Sequence, residues 1–165
     1  MPEILCFSRN RCSSVEQLDQ ETIRSQCRLQ DTLMEASVEI IVKMPDLEIK
    51  AINSKVSRTY QRECLEPADY LQKLIGIRVG PGMLKIIRGL LEEVDFCGQL
   101  AFMIEECCHG IILCLTKDVL SACPDDKEGI DNFFTDMVKE NIRLYNRCAA
   151  FAIGSPLVEG IEPPG

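Results

Sequence analysis

The sequence predicts an α+β fold, an antiparallel β-meander of three or four strands covered on one face by three or four helices. Two observations carry this. Apolar residues alternate with polar ones over residues 22–58, the period of half-buried strands. From residue 65 onward they recur at three- and four-residue spacing, the period of helices. Strands first and helices second is the pattern of a sheet with helices packed on one face. The 165 residues are enough for one sizeable core and short for two, so a single domain over 1–165 is expected. Within it fall an N-terminal strand and loop (1–21), the meander (22–58), a helical half (65–150) and a loose tail (155–165).

Taken in order, residues 3–9 (EILCFSR) read as a first short strand and residues 10–21 (NRCSSVEQLDQE) as a polar loop. Ile23, Ser25, Cys27 and Leu29 then share one face, and Asp31-Thr32 marks a turn. Met34, Ala36, Val38, Ile40, Val42 and Met44 alternate until Pro45-Asp46, a turn because Pro presets φ and Asp bonds its own backbone. Alternation resumes at Leu47, Ile49 and Ala51, then slips by one to Ile52 and Val56, as a bulge causes.

The apolar face of such a meander needs a cover. Glu66-Pro67 starts a helix whose stripe Leu71, Leu74, Ile75 ends at Gly76. Leu84, Ile87, Leu90 and Leu91 give a second helix face. Asp95 caps a third, with Cys97, Leu100, Ala101, Ile104, Cys108, Ile111, Ile112, Leu115 and Val119 as its stripe and Pro124 beyond its end. Gly110 inside it costs about 1 kcal/mol against Ala, which predicts close packing there. Asp125 or Asp126 caps a fourth helix, on which Ile130, Phe133, Phe134, Met137, Val138 and Leu144 share a face.

Composition narrows the function classes. The net charge of −8 is uneven: residues 1–91 carry 13 basic and 12 acidic side chains, residues 92–140 only 3 basic against 12 acidic. Phosphate backbones and anionic membrane surfaces are bound through clustered Lys and Arg, so neither nucleic acid nor membrane is an expected partner. No run approaches 18 consecutive apolar residues, and MPEILCFSRNRCSS lacks the basic-then-apolar order of a secretory signal. The expected location is cytoplasmic, where the ten cysteines stay reduced as core residues, metal ligands or redox groups.

Few motifs carry chemistry. Arg78-Val79-Gly80-Pro81-Gly82 leads into a helix, where backbone N–H groups attract anions, and Arg78, Gly80 and Gly82 are the candidate ligand or anion loop. The loop lacks the Lys-Ser/Thr ending of a P-loop and the spacing of a dinucleotide fingerprint, so a tight turn is the plainer reading. Cys107-Cys108-His109 holds the one histidine, but successive helical residues point about 100° apart and do not face one metal. In that reading Cys108 lies on the apolar stripe while Cys107 and His109 flank it. There is no Cys-x-x-Cys and no Gly-x-Ser-x-Gly. Glu92-Glu93 and Glu105-Glu106 read as solvated faces.

One resemblance rests on Asp46-Leu47-Glu48-Ile49, then Cys64, then Leu74-Ile75-Gly76-Ile77-Arg78-Val79-Gly80-Pro81-Gly82. The helix of residues 84–94, Phe96-Cys97-Gly98-Gln99-Leu100 and Cys148-Ala149-Ala150-Phe151 follow. In this order, over residues 22–158, the chain resembles the bacterial family known only as domain of unknown function 2889. That family brings no activity with it, but its pattern pairs the cysteines with histidines, a set of soft or borderline ligands suited to zinc or iron. This chain keeps Cys64, Cys97 and Cys148 and has Gln99 and Ala149 at the histidine positions.

The resemblance implies that Cys64, Cys97 and Cys148 converge near the glycine loop to line a pocket for a metal ion, zinc or iron, or for a small molecule. An accessory role in a metabolic pathway is the expected function. Two alternatives stay open: a small enzyme using a thiolate or thiolate-bound metal, and a structural or interaction module with buried cysteines. A homodimer through an exposed strand or the helix face is compatible with each.

Overall fold

The computed structural model describes residues 4–60, 62–65, 69–80, 82–92, 97–146 and 148–163. The expected helix start at Glu66-Pro67, the loop residue Pro81 and the Asp95 cap lie outside them. The chain gathers into two compact units, Met1–Thr116 and Lys117–Gly165.

In the first unit, β1 (Arg9–Gln17), β2 (Thr22–Asp31), β3 (Glu35–Lys43) and β4 (Glu48–Arg58) form one antiparallel sheet in sequence order. This is the predicted meander, with four strands. Ile23, Ser25, Cys27 and Leu29 stand opposite Val42, Ile40, Val38 and Ala36, and all eight are buried on the same face. Val42 pairs with Ile49 and Ile41 with Ala51, so Lys50 is the extra residue of a bulge. The bulge carries the buried face from Ile49 to Ile52, which is the slip legible in the sequence. Asp31 closes the β2–β3 turn by accepting the N–H groups of Leu33 (2.7 Å) and Met34.

The first strand lies where a loop was expected, and residues 4–8 carry none. Arg9 to Gln17 holds one aliphatic side chain, Val15, so no period marks it; nine successive pairings with β2 make it a strand. Arg11 shows what its helix-side positions do: the guanidinium lies 4.2 Å over the Phe102 ring and 3.5 Å from Glu106.

At the other edge, the chain after a 3-10 helix (Asp69–Leu74) bonds along the start of β4. The Gly76 N–H donates to Ile49 O, the Ile49 N–H to Ile77 O, and the Val79 N–H to Leu47 O, at 2.8–2.9 Å. Where a full α-helix was expected, this short 3-10 helix buries Leu71 and Leu74, leaves Ile75 exposed and stops at Gly76, whose φ of +89° suits glycine.

Helix α1 (Met83–Glu92) buries Met83, Ile87 and Leu91, the expected face with Met83 added. Helix α2 (Gly98–Leu120) buries Leu100, Met103, Ile104, Cys107, Cys108 and Ile111, one core with the sheet and α1. The stripe therefore corrects the sequence reading. Met103 and Cys107 face inward, whereas Ile112 and Val119 are exposed. By length and composition α2 passes for a membrane span, but 39% of that apolar window is buried within the protein. Gly110 lets the helix approach β1, because a Cβ there would lie 3.0 Å from Val15 Cγ2.

The second unit is built on α3 (Lys127–Glu140). Asp126 caps it, accepting the Gly129 N–H at 2.7 Å. Val138, Phe151 and Val158 form its own small core, with Phe134, Met137 and Leu144 packed against them. Part of the expected loose tail is fixed here. Pro156–Val158 make a 3-10 turn, the Thr135 hydroxyl donates to Leu157 O at 3.0 Å, and Val158 is buried.

Candidate functional site

Two of the three expected cysteines meet around a phenol that the sequence reading overlooked. Cys64 lies in a 3-10 helix (Arg62–Leu65), Tyr70 in the one that follows, and Cys97 just before α2. Leu71 and Leu74 anchor the Tyr70 turn in the core, and the Gln72 side-chain amide donates to Ile52 O on β4 at 3.3 Å. Tyr70 is thereby held half-buried, its hydroxyl accepting the Cys97 backbone N–H at 3.4 Å. Burial pushes the phenol above its ordinary pKa, the Cys97 N–H works against that, and the charges of the Cys97 and Cys64 thiols push it up further. Both thiols thus act electrostatically on one hydroxyl. No local pattern announces Tyr70; its place beside the buried Leu71 was the only signal available.

The third expected cysteine, Cys148, is exposed and belongs to the second unit. The positions matched to family histidines, Gln99 and Ala149, are exposed as well. A tetrahedral zinc site needs three or four thiolate, imidazole or carboxylate donors. Among the described residues no three His, Cys, Asp or Glu side chains gather in that way. Two thiols and a phenol do not fit a resident zinc or iron centre.

The glycine loop is a tie between elements. Arg78 bridges the backbone of Glu48, and its guanidinium lies 3.8 Å from Asp46. The Lys50 ammonium, 2.7 Å from Glu48, holds that carboxyl below its ordinary value, with Arg78 adding to the effect. The Gly80 N–H donates to the Met83 sulfur at 3.3 Å, within the first turn leading to α1. Gly82 has a φ of +82°, which reverses the chain into the helix. Arg78 and the Gly80 N–H thus each have a partner within the protein.

A third group of cysteines is part of the core. Cys27, Cys107 and Cys108 are fully buried, and burial pushes their thiols up to about 11, 12 and 12. The Ser25 hydroxyl donates to Cys107 O at 2.9 Å, and the Cys107 thiol has Val38 O at 3.8 Å. Thiols this far from ionising are poor nucleophiles at neutral pH. His109 is exposed on the other side of α2. No family model, no curated protein and no solved structure matches this chain.

Proposed function

We propose that the first unit is a small-molecule-binding module, with the Tyr70 hydroxyl, Cys64 and Cys97 as the groups that meet the ligand. One observation carries this: two half-buried thiols lie close enough to one half-buried hydroxyl to raise its pKa. Such a set offers a ligand one hydrogen-bonding group and two polarisable sulfurs at the margin of an apolar core. The resemblance to domain of unknown function 2889 supports the same residues, because Cys64 and Cys97 are among its matched positions. That all ten cysteines are thiols suits a reducing, cytoplasmic setting. The role is that of a binding protein accessory to a pathway.

The test compares the oxygen-free purified protein with the Cys64→Ser/Cys97→Ser variant by native mass spectrometry and elemental analysis. The expected result is a low-mass organic species retained by the parent and lost from the variant. Ultraviolet titration of the three tyrosines should also show the latest-ionising one moving to lower pH in the variant, since two neighbouring charges are removed. Identical mass spectra and identical titrations would overturn the proposal. A stoichiometric metal in the parent would replace it with a metal site.

A further inference from the structure

Where β1 begins and β2 and β4 end, Ser8, Asn10, Gln30, Asp31, Thr32 and Arg58 line an open depression of about 300 Å³. Asn10 and Gln30 are paired across the β1–β2 ladder, so their amides stand side by side on the sheet face away from the helices. The Asp31 carboxylate is already committed: it accepts from Arg9 at 2.7 Å and from the Leu33 and Met34 N–H groups, and the residue is buried.

Arg58 is held differently from the arginines of this unit that pair with carboxylates. Arg9, Arg24 and Arg88 each pair with a carboxylate. Arg58 forms no ion pair among the described residues, even with Glu35, which stands opposite it in the β3–β4 ladder. Its two Nη atoms donate instead to the main-chain oxygens of Thr32 (2.7 Å) and Asp31. A guanidinium has five N–H donors, so three remain, on a fork whose plane the backbone has fixed. An exposed arginine ordinarily loses rotamer freedom on binding; here much of that ordering precedes the ligand.

We propose that this depression binds the oxyanion group of a small molecule, a phosphate or a carboxylate. Arg58 takes the charged oxygens through its remaining donors, and the Asn10 and Gln30 amides bond to the adjoining polar part. Charge-assisted bonds from a guanidinium fork to such groups are the strong, directional kind. Nothing in this assignment depends on the thiol site.

Nuclear magnetic resonance titration of the full chain tests it, using inorganic phosphate and acetate separately, with ionic strength held by sodium chloride. Saturable shifts at the Asn10 and Gln30 side-chain amides are expected in the millimolar range. Arg58→Lys should weaken binding about tenfold and Asn10→Ala about threefold. The second variant leaves the Arg58 anchor untouched, so its effect is not one of folding. Saturation by phosphate alone identifies a phosphoryl ligand, and by acetate alone a carboxylate. No saturable shift with either anion, or equal affinities in the parent and both variants, would overturn the proposal.

Discussion

Cys27, Cys107 and Cys108 lie fully buried between the sheet and α2, whereas Cys64 and Cys97 lie half-exposed near Tyr70 at the margin of the same core. The side chain is identical and the surroundings are not. In the interior a thiolate would lose its hydration, and this outweighs the hydrogen bonds from Ser25 and the Cys27 backbone that favour it at Cys107, so the proton stays on. At the margin the residues are half-exposed to solvent, and the Cys97 backbone bonds the Tyr70 hydroxyl. Five of the ten cysteines thus fall into two contrasting groups: three small core residues that pack, and a pair placed where chemistry is available.

The sharpest break between them is chemical. Alkylation of the native protein by iodoacetamide at pH 8, followed by peptide mass spectrometry, should modify half-exposed Cys64 and Cys97 while leaving Cys107 and Cys108 largely unmodified, because these are buried and only the thiolate reacts. Comparable rates would merge the two groups.

The next effect is on stability at alkaline pH. The buried thiols ionise at about 11–12 when folded and near 9 when unfolded. Below pH 9 both states keep the proton. As pH rises from 9 towards 12 the unfolded chain sheds it first, so stability falls, by up to about 1.4 kcal/mol per pH unit for each thiol. Urea unfolding at pH 8 and pH 10 should show this loss, reduced in Cys107→Ala but retained in Cys64→Ser/Cys97→Ser. A loss of equal size in both variants would mean that the buried thiols are not its source. The smallest effect is at neutral pH. By urea unfolding, Cys108→Ala should cost about 1 kcal/mol and Cys97→Ala less than about 0.5 kcal/mol.

The fold was readable wherever one face is buried and the other wet. Ile23 to Leu29 and Ala36 to Val42 alternate because the sheet has helices on one side only, and the bulge at Lys50 left its mark as a slip in phase. β1 left none, since an edge strand with only Val15 partly covered has no need of alternation. On α2 the apolar residues extend around most of the helix, so spacing alone did not choose the inward face; the sheet chose Met103 and Cys107 over Ile112. The candidate site was half legible. Cys64 and Cys97 were singled out by the resemblance, but Tyr70 emerges only when the Asp69–Leu74 turn docks on the core, a long-range event that no local spacing encodes.

The Arg11–Phe102 stack also bears on how the protein behaves when crowded with its own copies. Nine residues of strand with an open outer edge are a natural template for another chain. A strand arriving beside β1 would have to lay its side chains over Arg11, held on Phe102, and Arg9, held on Asp31, and strip water from both cations. At the far edge, the Gly76–Val79 segment already occupies the backbone groups at the start of β4. One border of the sheet is covered at its start and the other is guarded by fixed positive charge, and both features disfavour growth into a fibre.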